Sequence, residues 1–132
     1  EHLSKPKEFL KRLRPVLRKR ALVFVEVPNV DDVLVSKYQS SPFQKFYFQP
    51  MHCFYYNERT LTSVFRQGGF ELIYCHYLQR YPFSNHLQWL LAGQSGGNPE
   101  YESRFKKINA AYAAILAEKK ITDTIFCVFR KI

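Results

Sequence analysis

The segment Ala21-Leu22-Val23-Phe24-Val25-Glu26-Val27-Pro28-Asn29 decides the fold class. A nearly unbroken apolar run of this length, stopped by Pro-Asn, reads as a strand covered on both faces. Immediately upstream, Phe9, Leu10, Leu13, Val16 and Leu17 recur at helical spacing among lysines and arginines, which predicts a helix from about Pro6 to Arg18. Ser4 is placed to cap it, Pro6 falls in the first turn where its missing N–H costs nothing, and Pro15 should kink or tighten the last turn. A helix feeding directly into a buried strand implies an α/β sheet.

Downstream, residues 30–56 are irregular and aromatic, with Tyr38, Phe43, Phe46, Tyr47, Phe48, Phe54, Tyr55 and Tyr56. A connection this long and apolar reads as a lid or a substrate wall. Asn57 then looks like the N-cap of a helix carrying Leu61, Val64 and Phe65, closed by Gly68-Gly69, and Phe70 to Leu78 follows as a strand. Residues 79–100 read as an insertion before the last strand, with Ser84 opening a short helix through Leu87, Trp89, Leu90 and Leu91, and a loop from Gly93 to Asn98. Asn98-Pro99 should start a long helix with Tyr101, Phe105, Ile108, Tyr112, Ile115 and Leu116 on one face, and Ile121 to Arg130 closes the chain as a strand.

A chain of 132 residues fits one domain or part of one, and 46% hydrophobic with 17% aromatic residues excludes intrinsic disorder. The net charge of +9 is gathered early, in Lys5, Lys7, Lys11, Arg12, Arg14, Arg18, Lys19 and Arg20. That cluster reads first as the solvated face of the opening helix, and second as a surface for a polyanion. Cys53, Cys75 and Cys127 are odd in number and embedded in apolar runs, which predicts buried reduced thiols and a cytoplasmic protein. No apolar stretch approaches the roughly 18 to 20 residues of a membrane span, so no membrane role is expected.

The order of elements also resembles the second half of a class I S-adenosylmethionine-dependent methyltransferase. Glu1-His2-Leu3, the Phe9-to-Leu17 helix and Leu22-to-Asn29 are similar to the turn after that family's fourth strand, its next helix and its fifth strand. His52, Phe54, Thr60-Leu61, Phe65 and Gly68-Gly69-Phe70-Glu71 resemble the family's approach to its sixth strand, in the manner of the sugar C-methyltransferase-like group. The fold the resemblance implies for 1–132 is the C-terminal half of a Rossmann-like α/β sheet, its last strand antiparallel and helices packed on it. Nothing in the sequence matches the glycine-rich loop that grips the donor, so a C-terminal piece, inactive alone, is the expectation. A second departure is Arg18-Lys19-Arg20-Ala21 where the family usually has Gly-Gly before its fifth strand; without glycine a tight left-handed exit is harder.

Site expectations follow from the resemblance. Glu1, His2 and Leu3 would lie beside S-adenosylmethionine, while Pro28, Asn29, Tyr38 and Tyr55 would face the methyl acceptor, a small or sugar-like molecule. His52 is the candidate general base, since imidazole titrates near neutrality, although Met51 stands where a paired carboxylate would precede it. A histidine serving structure at a helix start is the plainer reading. No metal is expected: His52-Cys53 and Cys75-His76 carry ligand types without zinc-site spacing. Gly93-Gln94-Ser95-Gly96-Gly97 copies a hydrolase elbow in letters only, because a helix precedes it and every histidine comes earlier. The alternative function is a non-catalytic basic module for nucleic acid or an acidic partner, with nucleic acid less favoured because few aromatics interleave the basic helix. Pairing of two copies through an open sheet edge is a further expectation.

Overall fold

Three strands, β1 (Leu22–Pro28), β2 (Phe70–Leu78) and β3 (Thr124–Lys131), form one sheet in the order β1-β3-β2 in the computed structural model, which describes residues 1–96 and 103–132. The Lys131 N–H bonds to the Ala21 carbonyl at 2.9 Å and the Ile132 N–H to the Gly69 carbonyl at 3.1 Å. The end of β3 therefore lies beside the starts of both other strands and runs opposite to each. β1 and β2 are parallel to one another with the reversed strand between them, as the sequence implied.

The chain divides into two compact units. The first comprises Glu1–Asn29, Pro50–His76 and Ile125–Ile132. Its helices are α1 (Pro6–Val16) and, after the second unit's α2 (Val33–Ser36) and α3 (Ser41–Tyr47), α4 (Glu58–Gln67). Helix α4 is fixed at its start by a capping box: Asn57 Oδ1 accepts the Thr60 N–H at 3.0 Å, and the Thr60 hydroxyl accepts the Asn57 N–H at 3.0 Å. Its Phe65 stacks on Phe129 of β3 with centroids 3.9 Å apart and meets Phe70 edge-on at 5.8 Å. Leu10 of α1 is buried against Gly68, where an added Cβ would lie 2.8 Å from the Leu10 Cβ, so glycine is required for that approach.

Several expectations are corrected here. The N-cap of α1 is Lys5, not Ser4, and no side chain caps it. Pro15 does tighten the end: the Leu17 N–H reaches back three residues to the Arg14 carbonyl. Strand β1 is covered on one face, not two, among the described residues. Val27 is buried, whereas Leu22 and Phe24 on the opposite face are 50% and 62% exposed, because α1 and α4 flank a single side of the sheet. The turn into β1 solves the missing-glycine problem by strain: Arg20 takes φ 62°, and the Ala21 N–H closes on the Arg18 carbonyl. Cys53 is exposed, while Cys127 is buried with its Sγ 3.0 Å from that of half-buried Cys75.

The second unit comprises Val30–Gln49 and Tyr77–Thr124. Part of the supposed loop is helical, in α2 and α3. Asp32 caps α2 by accepting the Leu34 N–H at 2.6 Å, and Pro42 sits in the first turn of α3. Phe43 and Phe46 of α3 pack on Trp89 of α5 (Phe83–Ala92) at 5.3 and 5.2 Å, so Phe43 and Trp89 build a core with the half-exposed Phe46 at its edge. Helix α5 starts at Phe83 after Pro82 rather than at Ser84, and ends at left-handed Gly93. Helix α6 spans Lys106–Glu118, and β3 starts at Thr124 rather than Ile121. The expected start of α6 at Asn98-Pro99, with Tyr101, lies outside the described residues.

Candidate functional site

Backbone hydrogen bonds bring the first residues of the chain against a segment fifty positions away. The N–H groups of Cys53 and Phe54 both donate to the Glu1 carbonyl, at 2.7 and 3.2 Å. Just beyond the carboxyl end of β1, Asn29 makes a parallel bridge with Tyr56. Together these place Glu1, His2 and His52 in one cluster in the first unit. One potential ligand or proton-accepting atom from each lies within 4.8 Å of the others.

The cluster is open to solvent and incompletely satisfied. The His2 side chain is 58% exposed, that of Glu1 is 22% exposed, and His2 Nε2 stands 3.6 Å from Glu1 Oε1. His2 Nδ1 lies 3.1 Å from the Met51 carbonyl, which obliges that nitrogen to carry a proton and donate it. The His52 ring meets His2 edge-on at 4.8 Å and Tyr55 at 5.5 Å, while its Nδ1 is buried without a hydrogen-bond partner. Met51 leaves no carboxylate beside His52 in sequence, yet the fold supplies one from Glu1. Leu3, 44% exposed, joins Phe9, Val27, Leu61 and Tyr56 around an adjoining apolar cleft of about 300 Å³. The Tyr56 phenol is held above its usual pKa, first by burial and then by the charges of Glu1 and Cys53.

The remaining sequence-derived site residues divide. Pro28 and Tyr55 are half-buried in the first unit. Asn29 is fully buried, so its polar groups serve the packing there rather than an open surface. Tyr38 belongs to the second unit and is 54% exposed just after α2. Cys75 and His76 point to opposite faces: the former meets Cys127, the latter stacks on Tyr74. The basic residues of α1 are solvent-exposed.

A polar network in the second unit has no signature in local spacing. Asp123 Oδ2 accepts from the backbone N–H groups of Arg80 and Tyr81 and from Gln79 Nε2, at 2.8, 3.0 and 2.8 Å. Gln79 Oε1 in turn accepts the Asp123 N–H at 3.2 Å. His86, 2% exposed, shares a 2.8 Å hydrogen bond between its Nδ1 and the Tyr112 hydroxyl, and burial lowers its pKa to about 4. Burial also pushes the Asp32 carboxyl up to about 7, with the nearby Asp123 charge adding to it and the Leu34 N–H opposing it. The only local signal that could have pointed to it is Asp32 before an apolar run, a helix-cap residue type.

A family model described as a methyltransferase domain matches residues 1–74. The fold is similar to the crystal structure of a SAM dependent methyltransferase from Archaeoglobus fulgidus, at 18% identity and a TM-score of 0.55. That likeness covers 99% of this chain and 55% of the other, so this chain spans about half the length of that protein. No curated protein matches the chain. Among the described residues no helix is long and apolar enough to cross a membrane.

Proposed function

We propose, since the chain belongs to the methyltransferase-domain family, that it forms the acceptor-side portion of an S-adenosylmethionine-dependent methyltransferase. The observation that carries this reading is the convergence of Glu1, His2 and His52 beside the carboxyl end of β1, the place where open α/β sheets hold their ligands. Among the described residues the fit to the donor is one-sided. Glu1, His2 and the exposed Leu3 offer a carboxylate, an imidazole and an apolar wall, whereas the β1–α2 turn, Asn29 to Asp32, has no glycine for close backbone approach.

When bound, S-adenosylmethionine supplies a methyl group on an electrophilic sulfonium. The chain's own residues orient the acceptor and accept its proton. The His52 imidazole, with the Glu1 carboxylate close by, suits general-base work on an acceptor hydroxyl, carbon acid or amine. Pro28 and Tyr55 supply apolar and aromatic contact for that acceptor. The resemblance of His52, Phe54 and Thr60-Leu61 to the sugar C-methyltransferase-like group supports a small or sugar-like acceptor, and three free cysteines support a cytoplasmic setting.

Calorimetric titration of S-adenosylmethionine into the full-length protein tests the reading. Saturable binding is expected, and His52→Ala should keep that binding while lowering methyl transfer roughly 10²- to 10⁴-fold. A folded full-length protein that takes up no S-adenosylmethionine would refute it.

A further inference from the structure

We infer that Glu1, His2 and His52 form a binding site for a first-row divalent transition-metal cation. The inference stands on this cluster's geometry and not on the methyltransferase reading. Two imidazoles and one carboxylate are the mixed donor set that holds zinc, cobalt, manganese or iron(II) while leaving coordination positions open.

Three observations support it. First, the His2 ring is oriented from behind: its Nδ1 donates to the Met51 carbonyl at 3.1 Å, which leaves Nε2 facing the Glu1 carboxylate 3.6 Å away. Second, the separation already approaches the roughly 3 to 3.5 Å between neighbouring ligand atoms that share one ion at about 2.1 Å. The third ligand atom, from His52, lies within the same 4.8 Å cluster, so side-chain rotation suffices to close the set. Third, His52 is brought to Glu1 by backbone bonds rather than by its side chain, since Cys53 and Phe54 make those bonds. Its Nδ1 remains buried and unpartnered, an arrangement that costs stability unless the site has a use for the ring.

An ion here would change the chemistry of the site. A nitrogen of His52 committed to a cation no longer takes the acceptor's proton there. A Lewis acid that lowers the pKa of a coordinated hydroxyl takes over that task, which favours acceptors presenting an oxygen. This last clause rests on the proposed function; the site itself does not.

The experiment is a Co²⁺ titration of the chelator-treated full-length protein, followed by visible d–d absorbance and then by Zn²⁺ displacement. One saturable site is expected, with affinity lowered at least roughly tenfold in both His52→Ala and Glu1→Gln, and unchanged in Cys53→Ser and His76→Ala. Far-UV circular dichroism of each variant shows that the loss is local. Absence of saturable Co²⁺ binding in the wild type, or equal binding by His52→Ala, would overturn the site. A protein that binds S-adenosylmethionine without Co²⁺ removes the metal site and leaves the proposed function standing. The opposite pattern removes the latter alone.

Discussion

The two units each contain a histidine among polar neighbours, and they treat it in opposite ways. In the first unit, His52 stands with Glu1 and His2 in a partly solvated cluster whose His52 Nδ1 has no partner. In the second, His86 is 2% exposed and bonded to Tyr112 through one nitrogen, beside a network in which one Asp123 oxygen accepts three donors. Burial with partners stabilises a fold, whereas a nitrogen without a partner in a partly solvated cluster leaves affinity for something else. The second unit's histidine is thereby tied into the packing, whereas the first unit's cluster is the one the proposed function uses.

That contrast can be broken most sharply at Asp123. Replacing it by Ala strands two backbone N–H groups and the Gln79 amide, and should lower unfolding stability by about 4 kcal/mol in urea titrations. A loss under about 1 kcal/mol would mean that the network is decoration.

The pH dependence comes next. His86 has a folded pKa of about 4 against an ordinary 6.5, so the unfolded chain binds the proton first. Stability should fall as pH drops from 6.5 toward 4, by up to about 3 kcal/mol, and His86→Gln should flatten that slope. Asp32 works in the opposite sense. Its folded pKa of about 7 lies above its ordinary 3.8, so its contribution is complete below 3.8 and lost as pH rises through 7. Asp32→Asn keeps the oxygen that caps α2 and removes the charge, and should raise stability by about 2 kcal/mol at pH 8 with no gain at pH 3.

Smaller effects are expected in the first unit. Arg20→Gly relieves a left-handed residue and should add about 1 kcal/mol to stability, read as a higher denaturant midpoint. His52→Ala should change stability by less than about 0.5 kcal/mol, since its Nδ1 forms no hydrogen bond to lose. A large loss on removing His52 would make it a structural histidine and erase the difference between the units.

The sequence was most legible where periodicity and punctuation agree. The apolar spacing in α1, the Asn57 cap with Gly68-Gly69 at the end of α4, and the β-branched run of β3 all found their elements. An apolar run says that a strand is covered but not by how many layers, and so the exposed Leu22 and Phe24 were missed. Helices α2 and α3 are short and hidden in an aromatic stretch that has no clean period. Glu1, His2 and His52 were each singled out by resemblance, but their meeting depends on backbone bonds between residues fifty positions apart, which no local spacing encodes. The Asp123 network was invisible for the same reason, because Gln79 and Asp123 look like ordinary turn residues until a fold joins them.

The most direct measurement follows the histidine ring resonances of the full-length protein by NMR as S-adenosylmethionine is added at pH 7. Signals of His2 and His52 should move saturably while those of His86 stay fixed. Movement confined to His86, or none at His2 and His52 once the donor has saturated the protein, would contradict the division of labour between the two clusters.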